Sequence, residues 1–396
     1  MNLVVYVADA LRTDHVGCYG ARFIGTPTID EFALGGVRFE QAIAAAPWTC
    51  PSTASMITGL HPHRHRYLHW DAELDPALPT LFTIAAAYGY ETGSFVFDEN
   101  YLFKGFADAN VAGTSERLDG AIEWLRAHRE RPFCLWFHSW ATHMPYDVRH
   151  ADRKEWLAAK DEIIGGIQSD DASALETLKE GYRRAVEHES EVRFASFLQA
   201  LDELGLREQT AIAFVADHGE SWGERFLDKT AVKGTYHLHG ATLYDEIVEV
   251  PLILAAPDRL EPRVVPEQVS LVDLLPTFAE LAGAPLDGLD GRSLLPLADG
   301  NEQGDRTAVI VATDQGSISQ LAVRQPPWKL IHRLDSGEDE GYQLDVDPRE
   351  LRNRSQDVPQ ELRTRLLDEL GSISSEELTA DEKAIVEKRL TDLGYL

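Results

Sequence analysis

The sequence predicts an α/β fold, a mostly parallel β-sheet flanked by helices, with a small antiparallel sheet and helices at the C-terminal end. Short apolar runs bounded by polar or turn residues alternate with segments of helical period, which is the pattern of buried strands joined by helices. The apolar runs are LVVYVAD (3–9), FCLWFHSW (133–140), TAIAFVAD (210–217) and VPLILAAP (250–257). Helical period is clearest in SERLDGAIEWLRAHRE and EVRFASFLQALDELG.

The pattern changes near residue 306, where short apolar runs follow one another with tight connections. These runs are TAVIVAT, QLAVR, WKLIHRL and EGYQLD, and they predict a small antiparallel sheet. Two acidic amphipathic helices are expected over residues 358–370 and 375–393. We therefore divide the chain into a large domain, 1–305, and a small C-terminal α+β unit, 306–396, that packs on it.

The charge of the chain is strongly negative. Among 396 residues, 66 are Asp or Glu and 37 are Lys or Arg, which gives a formal net charge of −29. Such a field repels nucleic acid and anionic lipid, so neither is expected as a partner. An acidic surface also suits the cytoplasm of a high-salt organism, where ions screen the self-repulsion. An acidic protein from a low-salt organism is the alternative.

Cysteine usage and the N-terminal segment both indicate a cytoplasmic protein. The chain has three cysteines, Cys18, Cys50 and Cys134. Because their number is odd and their spacing is not paired, no disulfide framework is expected. The chain enters a strand directly after Met1 and shows no signal-peptide pattern. It also contains no apolar run of about 18 residues that could span a membrane. We expect a soluble protein without a membrane partner.

Potential metal ligands stand at the ends of two predicted strands. Asp9 ends the first strand, and Asp217 and His218 stand side by side at the end of the run 210–217. In doubly wound α/β folds, ligands bind beyond the carboxyl ends of the strands. A lone aspartate there more often caps a helix or forms a turn. Together, however, the three residues offer oxygen and nitrogen ligands to one divalent cation, Ca²⁺, Mg²⁺, Mn²⁺ or Zn²⁺.

The segment TCPSTASMITGL has the features of a helix start that carries a hydroxyl group. Thr49 can cap the helix, and Pro51 is favoured in its first turn. Backbone N–H groups and the helix dipole stabilise negative charge at that end, and a nearby metal would lower the pKa of the hydroxyl and make it a nucleophile. An ordinary capping threonine is the alternative, and only the neighbouring motifs favour the nucleophile.

These motifs together resemble the sulfatase family, within the alkaline phosphatase superfamily. That family's signature is Cys or Ser-x-Pro-Ser-Arg, then four residues, then Thr-Gly. Pro51, Ser52, Thr58 and Gly59 set the register, so the nucleophile position falls on Thr49. Collinear matches cover nearly the whole chain and include VADALRTDHVGCYG, TPTIDEFALGGVRFEQAIAAAPW, HSWATHMPY, FVADHGESWGE and YQLDVDPRELRN. The resemblance implies an alkaline-phosphatase-like sheet with the family's small C-terminal antiparallel domain, in a haloarchaeal-type member.

The chain departs from the family pattern at the nucleophile. Thr49 replaces the cysteine or serine that maturing members oxidise to formylglycine, so no formylglycine is expected. Cys50 lies one residue too late and is interpreted as a small buried residue. Thr53 replaces the arginine that supports the formylglycine, and we assign Thr53 to substrate binding.

Other departures change the metal site and the substrate pocket. Ala10 stands where many members have a second aspartate, and His218 stands where many sulfatases have asparagine. A histidine there resembles the phosphodiesterase and phosphonate-hydrolase branch. The family's lysine in a GKWHLG-type motif is missing, and Asp98 and Asn100 lie near its place as candidate substrate-binding residues.

The resemblance also implies the roles of the remaining site residues. One divalent metal ion would be held by Asp9, Asp217 and His218, with the Thr49 hydroxyl completing the site. His143 and His239 match the positions that contact the head group or protonate the leaving oxygen. The segment HPHRHR (61–66) is interpreted as a loop with His65 or Arg66 at most lining the entrance.

The predicted function is hydrolysis of a small-molecule sulfate ester, or of a phosphate or phosphonate ester, through metal-bound Thr49. A threonine ester cannot collapse to an aldehyde as a formylglycine hydrate does, so water must cleave it or an acceptor must take the group. One alternative is therefore a transferase of a phospho-headgroup. A catalytically silent metal-binding relative is the other, and the joint presence of Asp9, Asp217, His218 and His239 argues against it.

Overall fold

A mixed eight-stranded sheet organises the large domain. The computed structural model describes residues 1–69, 72–97, 111–115, 118–144, 146, 172–222, 239–304, 306–314 and 316–373. Within these, the strands are β1 (Asn2–Ala8), β2 (Val37–Ile43), β3 (Glu91–Val96), β4 (Val111–Thr114), β5 (Phe133–Ser139), β6 (Thr210–Val215), β7 (Glu249–Ala255) and β8 (Arg263–Ser270). Their spatial order is β4-β3-β5-β1-β6-β7-β2-β8.

Strand β1 lies in the middle of the sheet, between two parallel neighbours. Val7 is paired with His138 of β5 on one side and with Val215 of β6 on the other. Every residue of these three strands is buried, as expected for a parallel sheet covered on both faces. Because the three strands are parallel and in register, their carboxyl ends meet at one edge of the sheet. The exception to parallel order is β7, which is antiparallel to both β6 and β2.

The described residues form eleven α-helices, and all but the last lie within residues 1–305. They are α1 (Pro27–Leu34), α2 (Thr49–Thr58), α3 (Pro62–His65), α4 (Leu81–Ala87), α5 (Asp119–His128), α6 (Ala172–His188), α7 (Ala195–Glu203), α8 (Asp245–Val248), α9 (Leu274–Leu281), α10 (Leu295–Ala298) and α11 (Gln360–Ser372). The predicted strands and helices of the large domain therefore form where their patterns indicated, and the α/β fold is confirmed.

A π-helical turn separates α6 from α7 and overlaps the start of the segment 191–205, which the sequence predicts to be a helix. It spans Glu189–Phe194 and carries a fully buried carboxylate on Glu189. That carboxylate accepts hydrogen bonds from the Tyr6 hydroxyl and from Ser139 Oγ, both at 2.5 Å. The Ser139 carbonyl in turn accepts the backbone N–H of Asp9 at 3.0 Å. The turn therefore anchors the ends of β1 and β5, in keeping with the frequent occurrence of π-bulges beside functional sites.

The C-terminal residues form the predicted small antiparallel sheet. Its strands are β9 (Ala308–Asp314), β10 (Ser317–Gln325), β11 (Trp328–Arg333) and β12 (Asp339–Gln343), in the order β12-β11-β10-β9. Helix α11 packs on β10 and β11 and corresponds to the first of the two predicted terminal helices. The second, 375–393, lies outside the described residues, and the division of the chain at residue 305 stays a prediction. Among the described helices, none combines the length and apolarity that crossing a bilayer requires.

Buried ion pairs join the small sheet to the large domain. Lys329 of β11 is fully buried, and its ammonium group lies 2.7 Å from Asp245 Oδ1 and 2.8 Å from Glu350 Oε1. Arg324 of β10 bonds the other oxygen of Asp245 at 3.0 Å. Burial alone would raise the pKa of the Asp245 carboxyl, but the charges of Arg324 and Lys329 lower it well below its usual range. This contact therefore depends on both cations.

Removing the buried ammonium group should destabilise the protein strongly. Lys329→Met leaves two buried carboxylates facing each other without their shared cation, and we expect a loss of about 3–5 kcal/mol in the free energy of unfolding. Urea denaturation would measure it. The matched control is Lys179→Met, which breaks a partly exposed pair with Glu176 at 3.6 Å and should cost at most about 1 kcal/mol. Equal losses in the two variants would contradict the assignment.

Candidate active site

Three potential metal ligands converge at the carboxyl edge of the central strands. Asp9 follows β1, while Asp217 and His218 follow β6, and all three side chains are fully buried. One ligand atom from each of the three lies within 4.8 Å of the others. The structure therefore brings together the three residues that the sequence analysis assigned to the metal.

The two carboxylates show how a cation would fit. Asp217 Oδ1 accepts the backbone N–H groups of Ala10 at 3.2 Å and His218 at 3.0 Å. Asp9 Oδ1 and Asp217 Oδ2 are buried and accept no hydrogen bond from the described residues. Burial, and next the charge of Asp217, raise the pKa of the Asp9 carboxyl to about 6. Buried carboxylate oxygens without partners are costly unless a cation neutralises them, so these residues fit a divalent metal ion.

The ring of His218 presents the nitrogen that a metal would need. Its Nδ1 lies 2.7 Å from the Gly219 carbonyl, to which it donates, so Nε2 carries the lone pair. That Nε2 is 3.5 Å from Asp9 Oδ1 and 3.7 Å from Asp217 Oδ2. Gly219 itself passes so close to the backbone of Glu246 that a Cβ atom would collide with it. A residue other than glycine would therefore clash at the point where the chain leaves β6.

Thr49 reaches the same point from the other side of the site. Its hydroxyl is buried and lies 3.2 Å from His218 Nε2. Thr49 is the first residue of α2, Trp48 occupies the N-cap position, and no side chain caps the helix. The expected capping role of Thr49 is therefore wrong, because its hydroxyl is directed to His218. Ser52 Oγ donates to the Asp217 carbonyl at 2.6 Å and holds the helix start against the strand end.

His143 and His239 lie beside this group in a row of aromatic rings. The His239 ring is 4.4 Å from that of His218, and the His143 ring is 5.1 Å from that of His239. Trp140 stacks on His143 at 4.0 Å. The structure thus places the His239 ring against the potential metal ligand His218, and the His143 ring against that of His239.

The predicted substrate-binding residues have mixed outcomes. Thr53 lies one helical turn after Thr49, and its buried hydroxyl has no hydrogen-bond partner among the described residues. Asp98 and Asn100 lie outside the part of the chain that the structure describes. The segment 61–66, predicted to be a loop, contains the short helix α3. His65 is buried against Ser55 at 3.0 Å, so the idea that it lines the entrance is wrong.

Two further side chains at the site were missed by the sequence analysis. His138, near the end of β5, lies 3.0 Å from Asp9 Oδ2 and 3.6 Å from Asp217 Oδ2. Burial would lower the pKa of His138, but the hydrogen bond to Asp9 and the two carboxylate charges raise it. Glu220 is fully buried and lies 2.9 Å from His239 Nδ1. Two signals in the sequence could have found them. His138 is a polar residue inside an apolar strand, and Glu220 is an acid directly after Asp-His-Gly.

Comparison with known protein families identifies the family of the chain. The model of the family described as Sulfatase matches residues 1–284, which is well over half of the chain. The chain belongs to the sulfatase family. A second model, described as the C-terminal part of N-sulphoglucosamine sulphohydrolase, matches residues 236–376 of this sulfatase-family chain.

Individual relatives of this sulfatase-family chain are distant. The ulvan-active sulfatase of Formosa agariphila is 26% identical over 353 residues, covering 85% of this chain and 66% of the relative. The low-salt glycan biosynthesis sulfotransferase Agl7 of Haloferax volcanii is 27% identical over 296 residues, covering 74% and 64%. The chain thus spans slightly less than two thirds of the length of these two relatives.

The structural comparison supports the fold alone. The phosphonate monoester hydrolase of Agrobacterium radiobacter superposes with a TM-score of 0.71 at 21% identity, covering 95% of this chain and 96% of that chain. The family model confirms the predicted sulfatase family, and the superposition agrees with the predicted architecture. The resemblance to haloarchaeal-type members stays a prediction. The predicted enzyme class, a hydrolase acting on esters, is that of the family, whose members use a metal ion.

Cation binding should stabilise the protein through the two aspartates. A cation at 100 times its Kd adds about 2.7 kcal/mol to the free energy of unfolding, so the Tm of the wild type should rise with at least one of Ca²⁺, Mg²⁺, Mn²⁺ and Zn²⁺. Asp217→Asn should lose this rise. Its metal-free Tm should equal or exceed that of the wild type, because the negative charge facing Asp9 is removed.

The exposed Asp202 in α7 supplies the matched control. Asp202→Asn should keep the full cation-dependent rise in Tm, measured by differential scanning calorimetry after removal of metal with a chelator. A rise that persists in Asp217→Asn would exclude the assigned ligands.

Proposed function

We propose that the protein hydrolyses a small-molecule ester of sulfate, or of phosphate or phosphonate, with Thr49 as the nucleophile. The observation that carries the proposal is the buried Thr49 hydroxyl, 3.2 Å from His218 Nε2, at the N-terminal end of α2. Beside it lie two aspartates, each with an oxygen that has no partner among the described residues. This is the arrangement expected of an activated hydroxyl nucleophile. Family membership agrees with ester hydrolysis but does not select the ester.

In the first step the Thr49 hydroxyl gives its proton to solvent, and its oxygen attacks the sulfur or phosphorus atom. The bond from that atom to Thr49 Oγ forms while the bond to the leaving oxygen breaks. His143 or His239 would give a proton to the leaving oxygen, since the His239 ring lies beside His218 and the His143 ring lies beside His239. The N–H groups of the first turn of α2 favour the negative charge of the head group.

In the second step a water molecule attacks the same sulfur or phosphorus atom. The bond to Thr49 Oγ breaks, the oxygen of Thr49 recovers a proton, and inorganic sulfate, phosphate or the phosphonic acid is released. Because Thr49 carries no second hydroxyl, this step needs water or another acceptor. The histidine that protonated the leaving oxygen is suited to take the proton of water.

The proposed metal ligands are Asp9, Asp217 and His218, with the Thr49 oxygen as a fourth. When bound there, a divalent cation would supply the positive charge that lowers the pKa of the hydroxyl and offsets the charge of the head group. Thr53 is proposed to contact the head group one helical turn beyond Thr49, and Asp98 and Asn100 to contact the rest of the substrate.

The proposal also covers the partners of the protein and its location. The net charge of −29 disfavours nucleic acid and anionic membranes as partners. It also supports a cytoplasmic location in a high-salt organism.

Transfer of the group to an acceptor alcohol is a second candidate function. The relative Agl7, 27% identical over 74% of this chain, bears the name of a sulfotransferase. The same Thr49 ester would form, and an acceptor hydroxyl would replace water in the second step. Added alcohols that raise total turnover and yield their own sulfate or phosphate esters would favour this candidate.

Replacing Thr49 with alanine should abolish turnover. p-Nitrophenyl sulfate, p-nitrophenyl phosphate and bis(p-nitrophenyl) phosphate would be assayed with each divalent cation, at low and high salt. We expect Thr49→Ala to lower kcat at least 1,000-fold, about 4 kcal/mol, while circular dichroism shows an unchanged fold.

Cys50→Ala is the control, since this buried thiol is adjacent in the sequence but has no part in the mechanism. It should keep activity within a factor of three. Turnover that survives Thr49→Ala would reject the nucleophile, and loss of activity in Cys50→Ala alone would show that the register is wrong. Intact-protein mass would reveal an oxidised Cys50.

A further inference from the structure

We propose that Glu220 is the positioning residue of His239. Its carboxylate holds the Nδ1–H of His239 and thereby directs the opposite ring nitrogen, Nε2, to the reacting ester. The inference rests on the proposed function for the role of His239 in the reaction, but the contact between the two side chains stands independently of it.

Both oxygens of the Glu220 carboxylate are engaged. Oε1 lies 2.9 Å from His239 Nδ1, and Oε2 accepts a hydrogen bond from the Tyr146 hydroxyl. The backbone carbonyl of Glu220 accepts a hydrogen bond from Arg12 Nη1 at 2.8 Å. With its main chain and both carboxylate oxygens held, the glutamate has one orientation, and the position of the His239 ring follows from it.

The electrostatics favour the same assignment. Glu220 is fully buried, whereas the His239 side chain retains 19% of its exposure. A buried carboxylate is stable only where donors satisfy it, and an imidazole N–H is such a donor. When one ring nitrogen donates to a carboxylate, the proton is fixed there, and the other nitrogen keeps its lone pair in the neutral ring.

The rings on either side restrict His239 further. His218, a proposed metal ligand, lies 4.4 Å away between ring centroids, and His143 lies 5.1 Å away. A rotation of the His239 ring would break the Glu220 contact and shift it against both neighbours. Glu220 therefore determines which nitrogen of His239 is presented at the site where Thr49 and His218 meet.

The protonation of His239 can be measured without any substrate. Protein labelled with ¹⁵N-histidine, with Mg²⁺ present at pH 8, would be compared with His239→Asn to assign the His239 signals. We expect a protonated Nδ1 in the wild type. A lone pair on Nδ1 would overturn the proposal, whatever the activity of the protein.

A double-mutant cycle tests the consequence for turnover of p-nitrophenyl sulfate and bis(p-nitrophenyl) phosphate. Glu220→Gln keeps the volume of the side chain but removes its charge, and it should lower kcat by about 10- to 100-fold, with KM within twofold of the wild type. In the His239→Asn background the same change should have no further effect. An equal loss in both backgrounds would indicate a general structural role and reject the proposal.

Glu369→Gln is the matched control, because Glu369 also faces a buried histidine, His63, at 3.3 Å, but away from the site. It should leave kcat within twofold of the wild type. Thr49→Ala separates the two levels of inference. Activity that survives Thr49→Ala rejects the proposed function, while the ¹⁵N spectrum still decides the assignment of Glu220.

Discussion

Two aspartates buried side by side are the constraint around which the rest of this structure is arranged. Asp9 follows β1 and Asp217 follows β6, and these two strands are parallel neighbours in the sheet. Each aspartate keeps one oxygen without a partner among the described residues. Burial, and next the charge of Asp217, raise the pKa of the Asp9 carboxyl, so the two buried carboxylates cost free energy without a cation. A cation removes that cost. These buried carboxylates therefore suit a cation better than they suit an empty fold.

The surrounding structure holds these aspartates through backbone and buried polar contacts. Thr142 donates to the Asp9 carbonyl at 2.6 Å, and Tyr182 donates to the Ala10 carbonyl at 2.8 Å. Ala10 has a left-handed backbone with φ of 57°, a conformation that costs energy for a residue with a Cβ. In this conformation its N–H donates to Asp217 Oδ1 at 3.2 Å. Strain at Ala10 and the buried Glu189 thus both serve to orient the carboxylates.

The threonine at position 49 changes what the remaining side chains must do. A formylglycine hydrate could release the group by its own second hydroxyl, but under the proposed function Thr49 depends on an external acceptor and on a residue that takes the proton of that acceptor. The histidine row beside His218 supplies that residue. A histidine that transfers protons must present a defined nitrogen. The proposed role of the buried Glu220 is to hold His239 in that orientation.

The sequence by itself determined the fold class and the resemblance to sulfatases. It also singled out Asp9, Asp217 and His218 as candidate metal ligands, because strand ends and short motifs are local patterns. The tertiary structure alone decided that Thr49 faces His218 and does not cap its helix. It also revealed His138 and Glu220, whose partners stand 129 and 19 positions away. Such pairs depend on which strands are adjacent and where each side chain points, and local patterns carry neither.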